Sequence, residues 1–554
     1  MDKVVNSKSI VSVQQEQFVP KDRLEGLKQN WKSDLVSGFI LSLIALPLSL
    51  AIAMASGAPP MAGLFSAIIA GIVVSQLTDS HVSINGPAAG LIVVMAGSVE
   101  RLGGGAEGYH AALAAVVIAG IVLTVLGVFR AGVLGLMMPS IVVHGMLAAI
   151  GFIIIAKEIP IFLGFMGAPK EPLSIYARIP DMIMNMNPEV ALIGFVGLLI
   201  LIAYSYLNKF PLFKKIPAPI IVVLVGILMG EMFDLEHAHS YLLGGHHYAL
   251  DPKRFLVILP PSMLDAITMP DWSKIGTQGF WYSTIVIILV QGIESVLSCS
   301  AVEKLDPYKR KVDLSKDLLA VGAATGITGM IGGIPSITEI VRSTANVTNG
   351  ARTRWSNFFH GVFILLFVLL GAAVIDLIPQ AALAALLIMV GYRLASPKEF
   401  KHAFEKGWDQ LFLYCVTIIS VLATDLMVGV LIGVACKFVL HLINGAPIGP
   451  NLFVADTVLE QEKDNKEELT LKVNKAAIFS NFLSLKKQLD KIPLDKHLRI
   501  DLSNTCLVDH STLEHLDQFK REYSKGGGHV EIGGLAQHKS ASKHALSCKK
   551  LSKR

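Results

Sequence analysis

Three ionisable residues lie inside apolar stretches of the chain. Glu294 is surrounded by apolar residues in IIILVQGIESVLSCSAVE, and Glu339 and Arg342 follow Pro335 in GGIPSITEIVRSTANVTNGARTR. A charge at the centre of a bilayer costs about 2.5 to 3.5 kcal/mol on insertion scales, so such residues usually face a cavity and mark an ion path. Glu339 and Arg342 are three residues apart on one helix face, and mutual pairing is the simpler alternative.

The helical pattern is interrupted at two places that suit an anion. One is GGIP, after which a helical pattern resumes from Ser336, and the other is NGP at Asn85 to Pro87. A helix that starts inside the membrane leaves its first N–H groups unpaired and carries about half a positive charge at that end. The sequence therefore predicts two half-helices that point at one anion site. The alternative is two kinked helices packed against their neighbours.

The composition is that of an integral membrane protein. The chain has 554 residues, 53% of them hydrophobic and 16% charged, and its mean hydropathy is +0.57. No apolar core with a small-residue cleavage site precedes the first apolar stretch, so the first span itself would direct insertion. Stretches close to the roughly 20 residues of a spanning helix predict about fourteen segments. They begin near Leu35, Met61, Pro87, Ala111, Val133, Val190, Pro217, Trp281, Leu314, Ile337, Trp355, Ile378, Leu411 and Leu426.

Basic loops predict the orientation of these segments. With a cytoplasmic N-terminus, the most basic short loops all fall on the cytoplasmic side, as the positive-inside rule expects; they are 208–215, 303–316, 351–354 and 392–406. They require no nucleic acid to explain them, and both termini are predicted to be cytoplasmic. The two interruptions then belong to the third and tenth segments. These correspond if the segments form two repeats of seven, the second one inverted because seven is odd.

Other features of the sequence favour packing over chemistry. Pro47 lies in the middle of the first segment, where it would either break the helix to form a cavity wall or kink a packing helix. A loop on the predicted outer face carries four histidines without diagnostic metal spacing, and we expect no metal there; they are His237, His239, His246 and His247. No Ser/His/Asp series or phosphate-binding glycine loop is evident, so we do not expect an enzyme.

The chain changes character after its last apolar segment. Residues 444–464 contain Gly and Pro and lead into the charged run EQEKDNKEEL at 460–469, a composition that is typical of a linker. From 465 to 554, alternating and helical patterns in the order β, α, β, α, β predict a small α/β domain with a basic, solvated tail. We therefore predict a cytoplasmic segment over 1–34, a transmembrane domain over 35–443, a linker and a cytoplasmic domain.

The motifs of the chain resemble those of the SulP anion permeases, whose animal relatives include prestin and pendrin. They are ALPLSLAIAMASG in the first segment, INGPAAG before the third, GIESVLS in the eighth and GGIPSITEIVRSTANVTNGART at the tenth. The C-terminal domain resembles the STAS domain, named for sulfate transporters and anti-sigma-factor antagonists. Four motifs in order, together with this domain, extend the resemblance over nearly the whole chain beyond the first thirty residues.

The resemblance implies an α-helical polytopic membrane protein with a seven-plus-seven inverted repeat, whose core domain moves against a gate domain, and a homodimer. It implies an anion held between the third and tenth half-helices, by Gly86, Pro87, Ala88, Ser336, Ile337 and Thr338, with Arg342 just behind. In bicarbonate-transporting relatives, an acidic residue and a hydroxyl one turn later in the eighth segment bind Na⁺. These positions match Glu294 and Ser298.

Two positions depart from the family pattern. Glu339 stands where many relatives have a small or hydroxyl residue, and Ala88 stands where several have threonine. An ionised Glu339 would oppose anion binding unless it pairs with Arg342 or takes up a proton. Glu339 therefore joins Glu294 and Ser298 as a cation-coupling candidate.

The stretch LRIDLSNTCLVDHSTLEHL resembles the part of STAS domains in which anti-sigma antagonists carry a phosphorylated serine, here Ser511. Regulatory phosphorylation is one interpretation, and a helix cap is the other. We also expect a cytoplasmic protein partner for this domain and contact of its basic tail with membrane lipid.

Together these features predict a secondary active transporter of small inorganic oxyanions, sulfate or bicarbonate, in a bacterial inner membrane. It would work by alternating access in symport with H⁺ or Na⁺ and would need no other cofactor. Two alternatives remain open. One is an uncoupled anion exchanger or chloride-type channel, and the other is an anion-binding sensor that signals through its STAS domain.

Overall fold

The computed structural model describes residues 19–169, 171–207, 216–461, 468–493, 496–525 and 527–552. The first half of the helical part contains one short strand and ten α-helices within these residues. They are α1 (Arg23–Ala55), α2 (Pro60–Ile69), α3 (Ser75–Leu77), β1 (Ile84–Pro87), α4 (Ile92–Arg101), α5 (Gly105–Val128), α6 (Ser140–Phe162), α7 (Pro172–Ala177), α8 (Ile179–Met184), α9 (Pro188–Leu207) and α10 (Ala218–Met232).

The second half begins with a β-hairpin and again contains one short strand among its helices. Its elements are β2 (His239–Leu243), β3 (His246–Leu250), α11 (Pro252–Phe255), α12 (Gln278–Leu305), α13 (Leu314–Met330), β4 (Ser336–Glu339), α14 (Ile340–Thr348), α15 (Trp355–Ile375), α16 (Gln380–Leu394), α17 (Pro397–Lys406), α18 (Trp408–Ala423) and α19 (Leu426–Ile443).

The described helices are those of a polytopic membrane protein. Among the described residues, nine helices are long and apolar enough to cross a membrane, and two further apolar helices are shorter. Each of the predicted segments overlaps one of the helices, although the exact number of spans stays a prediction. The first helix begins at Arg23, inside the segment 1–34 that was predicted to precede the membrane.

Helix contacts repeat between the two halves with the partners exchanged. Helix α1, in the first predicted segment, packs on α15, in the eleventh, and α12, in the eighth, packs on α5, in the fourth. In the same way α9 packs on α16, and α18 packs on α6. This exchange is what a two-fold relation between seven-segment halves produces, and it agrees with the inverted repeat.

Glycines allow helices from the two halves to approach closely. A Cβ on Gly120 of α5 would lie 2.3 Å from the Gly326 nitrogen of α13, and one on Gly322 would lie 2.5 Å from the Thr124 nitrogen. Small residues at such crossings let helix backbones pack against each other within a membrane. The two halves of the chain are therefore joined by backbone contact as well as by side chains.

Pro47 lies inside α1, which is one continuous helix from Arg23 to Ala55. The broken-helix interpretation is therefore wrong, and Pro47 belongs to a packing helix. Gly63 of α2 makes close packing possible next to it, because a Cβ there would lie 1.9 Å from the Ser49 carbonyl oxygen of α1.

The C-terminal part is a mixed sheet with two helices. Its elements are β5 (Asp456–Gln461), β6 (Glu468–Ala477), α20 (Phe482–Leu489), β7 (His497–Asp501), β8 (Thr505–Val508), α21 (His510–Lys525), β9 (His529–Gly533), β10 (His538–Ser540) and β11 (Lys549–Leu551). The strand order is β10-β11-β8-β6-β7-β9, with β5 also paired to β6. Strand β6 is parallel to β7 and β8, and β7 is parallel to β9. The predicted β, α, β, α, β order corresponds to β6, α20, β7, α21 and β9.

Two boundaries differ from the sequence prediction. Strand β5 lies in the segment 444–464 that was predicted to be a linker, since its residues pair antiparallel with β6. Strands β10 and β11 lie in the predicted solvated tail, where β11 pairs with β8. Both segments form strands because they pair with other strands of the sheet. The local charge pattern does not reveal such pairing.

A buried charge cluster joins this domain to the last helix. Asp509, just before α21, is fully buried, 4.0 Å from Lys437 Nζ and 3.4 Å from His441 Nε2 of α19. Burial alone would raise the pKa of Asp509, but Lys437 and His441 outweigh this and hold it below its usual range. The carboxylate also accepts hydrogen bonds from the Phe479 and Thr512 backbone nitrogens. One carboxylate thus anchors two strand-to-helix turns and the membrane helix.

We predict that Asp509→Ala loosens the domain from the helical part. The substitution leaves the Lys437 ammonium buried without its partner, which costs about 3 to 5 kcal/mol. Limited proteolysis and thermal unfolding in detergent should report earlier release of the C-terminal part. Asp517→Ala on α21, which removes a partly exposed pair with Arg521, is the control and should change neither measurement. Equal behaviour of the two variants would contradict the prediction.

Candidate functional site

The two predicted interruptions meet as a pair of short antiparallel strands. The register pairs Ile84 with Glu339 at one end and Pro87 with Ser336 at the other. Strand pairing gives interrupted backbone the hydrogen-bond partners that it needs at membrane depth. The expectation that helix resumes at Ser336 is wrong, because Ser336–Glu339 is strand and α14 begins at Ile340.

Two helices start from this strand pair with their N-termini toward it. After β1 the chain makes a 3₁₀ turn over Ala89–Leu91 and enters α4, and after β4 it enters α14 directly. Because the strands are antiparallel, the helices leave from opposite ends of the pair. No side chain caps either helix start within the described residues. The positive ends of two helix dipoles therefore face the same small region.

Arg342 lies beside this strand pair and is buried, with 2% of its surface exposed. Its Nη2 donates to the Pro87 carbonyl oxygen at 3.2 Å and lies 3.9 Å from Glu339 Oε1. Its Nε and Nη1 are buried without a hydrogen-bond partner among the described residues. Gly86 makes room for the guanidinium, since a Cβ there would lie 2.7 Å from Nη1. Within the described part of the chain, two nitrogens of the guanidinium therefore have no acceptor.

Two carboxylates lie near the same strand pair. Glu339 ends β4, and its Oε1 is buried without a hydrogen bond among the described residues. Glu294 of α12 lies against Gly90 in the 3₁₀ turn, where a Cβ would lie 2.1 Å from its Oε1. Its Oε2 is buried and unpartnered within the described part of the chain. Ser298, one helical turn later, is 6% exposed.

The remaining predicted anion-site residues are buried at the strand pair. Ala88 and Ile337 are almost fully buried, and Ser336 Oγ has no hydrogen-bond partner in the described residues. Gln291 of α12 donates from Nε2 to the Ser336 carbonyl oxygen at 2.8 Å. These residues lie together at the strand pair, and their role in binding an anion stays a prediction.

A network of polar side chains on the other face of the strands escaped the sequence analysis. Thr338, predicted at the anion site, has its hydroxyl 3.0 Å from Asp317 Oδ1 and accepts from Asn85 Nδ2 at 2.9 Å. Asn357 of α15 donates to Asn85 Oδ1 at 2.9 Å. Asp317 follows a basic loop, where a carboxylate looks like an ordinary first-turn residue of a helix. The sequence signal that could have identified Asp317 is its position directly before the apolar run LLAV.

The other predicted residues lie away from the strand pair. Ser511 is fully buried, and its Oγ accepts a hydrogen bond from the Ser140 nitrogen at 3.3 Å, so a kinase would reach it only after the two parts separate. Its phosphorylation stays a prediction. The four histidines lie on or near the β2–β3 hairpin, where His237 Nδ1 is 2.7 Å from Asp234. No group of three or more metal-ligating side chains occurs among the described residues.

Comparison with known proteins gives matches over most of the chain. The model of the sulfate permease family matches residues 31–417. The putative sulfate transporter YvdB of Bacillus subtilis is 26% identical over 414 residues, which cover 74% of this chain and 73% of its own. The bicarbonate transporter BicA of Picosynechococcus is 26% identical over 422 residues, which cover 73% of this chain and 69% of its own.

Solved structures share the fold. The transmembrane domain of a cyanobacterium bicarbonate transporter, BicA, matches with a TM-score of 0.62 and 22% identity, covering 72% of this chain and 97% of that domain. The structure of SLC26A9 matches with a TM-score of 0.65 and 15% identity, covering 94% of this chain and 86% of its own. The second match includes the C-terminal sheet, which fits a STAS domain.

We predict that Gly90→Ala displaces the Glu294 carboxylate without unfolding the protein. The new methyl group would occupy the place of Oε1, and a flexible side chain moves more easily than backbone. The carboxyl infrared band of Glu294, assigned with Glu294→Gln, should shift. Gly97→Ala on α4, the helix that follows this turn, meets no atom within 4 Å and is the control. An unchanged infrared band in Gly90→Ala would contradict the contact between Gly90 and the Glu294 carboxylate.

Proposed function

Since the chain belongs to the sulfate permease family, we propose that it is a secondary active transporter of small inorganic oxyanions, sulfate or bicarbonate. The observation that carries this proposal is the buried Arg342, which has two donor nitrogens without a partner among the described residues and lies at the strand pair from which two helices start. Guanidinium groups and helix N-termini both favour oxyanions, through charge-assisted hydrogen bonds. Relatives with sulfate and bicarbonate in their names support the choice of substrate class.

The charges at the site favour coupling to a cation. If all three groups are ionised, Arg342, Glu339 and Glu294 together carry one net negative charge, which repels an anion. A proton or Na⁺ at a carboxylate removes this repulsion, so the anion and the cation bind together more readily than either alone. We propose that Glu294, with Ser298 one turn away, takes the coupling cation. Glu339 pairs with Arg342 until the anion competes for the guanidinium.

Alternating access is the transport mode that we propose. Arg101 at the end of α4 lies 4.1 Å over the Tyr282 ring of α12 and 3.9 Å from Asp425, which precedes α19. Tyr282 also donates to Asp425 Oδ1 at 2.6 Å. On the predicted outer side, this contact joins α4 and α12, which lie next to the strand pair, to the start of α19. Its breakage would accompany opening of the site to that side.

Further parts of the proposal concern assembly and location. We propose a homodimer in a bacterial inner membrane, with both termini in the cytoplasm and the STAS domain available to a cytoplasmic protein. The four basic loops on one predicted side support this orientation.

Counter-flow in proteoliposomes tests the proposed function. Purified protein should exchange labelled sulfate or bicarbonate, and an imposed H⁺ or Na⁺ gradient should drive accumulation. Chloride and dicarboxylates serve as competitors. Exchange without accumulation would support an uncoupled exchanger or channel, and binding without any movement would support an anion-binding sensor. Either outcome would contradict coupled transport.

We predict that Arg342→Ala weakens anion binding by about tenfold or more, because a charge-assisted hydrogen bond contributes about 1.5 to 3 kcal/mol. Titration calorimetry with sulfate and bicarbonate measures the affinity. Arg393→Ala, which removes an exposed arginine from α16, is the control and should bind as the wild type does. Unchanged affinity of Arg342→Ala would exclude Arg342 from the site.

We predict that Glu294→Gln abolishes cation-driven accumulation while anion binding survives. The amide keeps the size of the side chain but neither ionises nor balances a cation. Uptake under imposed H⁺ and Na⁺ gradients measures the effect, and calorimetry reports the remaining binding. Glu303→Gln near the end of the same helix is the control, and its uptake should match the wild type. Undiminished coupled uptake in Glu294→Gln would refute the coupling role.

A further inference from the structure

One carboxylate behind the strand pair has no part in the proposed transport cycle. Asp317 lies in the first turn of α13 and is fully buried. Its oxygens accept hydrogen bonds from three hydroxyl groups, those of Thr78 at 3.1 Å, Ser295 at 3.1 Å and Thr338 at 3.0 Å. These donors lie after α3, on α12 and on β4. A single carboxylate therefore joins four segments of the chain.

This carboxylate also fixes the direction of the hydrogen bonds that cross the strand pair. An ionised carboxylate can only accept, so the Thr338 hydroxyl proton points to Asp317. The Thr338 oxygen then accepts from Asn85 Nδ2, and Asn85 Oδ1 accepts from Asn357 Nδ2. The backbone nitrogen of Asn85 in turn donates to Asn357 Oδ1 at 3.2 Å. The chain of bonds runs from α13 through both strands to α15.

We infer that Asp317 is a positioning residue of the anion site, which holds β4 in the register that places Arg342 at the Pro87 carbonyl. The inference rests on the proposed function. Asp317 does not itself face the anion, because strand alternation places the Thr338 side chain on the face opposite Glu339. An asparagine at 317 has one acceptor oxygen and two amide hydrogens, so it cannot accept from all three hydroxyl groups. At least one of them must turn away, and the support of β4 weakens.

Two substitutions remove this support at its two ends. Asp317→Asn changes the carboxylate, and Thr338→Val removes the hydroxyl at nearly constant shape. We expect each to weaken sulfate and bicarbonate binding about tenfold, which corresponds to the loss of one hydrogen bond to a charged group. Hydrogen exchange of residues 336–348 should become faster in both. The double variant should lose little more than either single one, because the two residues act through one bond.

Matched controls separate positioning from general destabilisation. Thr338→Ser keeps the hydroxyl group and should show wild-type anion affinity and wild-type hydrogen exchange of residues 336–348. Ser295→Ala removes another hydroxyl group that donates to Asp317, but this one lies on α12. It should leave hydrogen exchange of residues 336–348 unchanged. Wild-type affinity and wild-type exchange in Asp317→Asn would overturn the inference, and so would full additivity in the double variant. If Asp317→Asn does not fold, equal affinity of Thr338→Val and Thr338→Ser overturns it.

Failure of the proposed function gives a different result. A wild-type protein that binds neither sulfate nor bicarbonate removes the proposed function, and the inference about an anion site falls with it. A protein that binds anion through Arg342 but does not respond to Asp317→Asn keeps the proposed function and loses only the inference.

Discussion

The pairing of β1 with β4 is the constraint on which the rest of the structure depends. A chain that leaves helical geometry inside a membrane exposes amide and carbonyl groups, and each one without a partner costs several kcal/mol in hydrocarbon. Here two interruptions from opposite halves supply hydrogen bonds to each other. Because each satisfies the other, two helices can begin beside the strand pair with no side-chain cap among the described residues. The dipole ends and Arg342 then lie at a strand pair to which both halves of the chain contribute.

The two faces of this strand pair have different characters. One face carries Arg342 and Glu339, whose buried polar atoms remain partly unpaired among the described residues. The other face carries Asn85 and Thr338, whose side chains form hydrogen bonds with each other and with neighbouring helices. A site that binds and releases an ion needs free donors on one side and fixed geometry on the other. The period of two along a strand places these two kinds of side chain on opposite faces within four residues.

Much of the helical part could be predicted from the sequence because the bilayer imposes a length and a composition on each segment. The interruptions at Gly86 and Pro335 were visible for the same reason, since glycine and proline stand out in apolar runs. The strands themselves were not predicted, because four residues carry too little pattern and their pairing joins residues far apart. Asp317 and Asn357 were missed because their partners lie in distant segments of the chain. Strand β5 and the last two strands were missed for the same reason.

The distance along the chain between the paired strands has a consequence for biosynthesis. Asn85 and Thr338 are 253 residues apart. At a translation rate of about 5 to 20 residues per second, β1 leaves the ribosome on the order of 10 to 50 seconds before β4 exists. During that interval the first half must shelter an unpaired edge from lipid, within the insertion machinery or between its own helices. Slowed elongation across the second half would lengthen this exposure and favour degradation of the half-made protein.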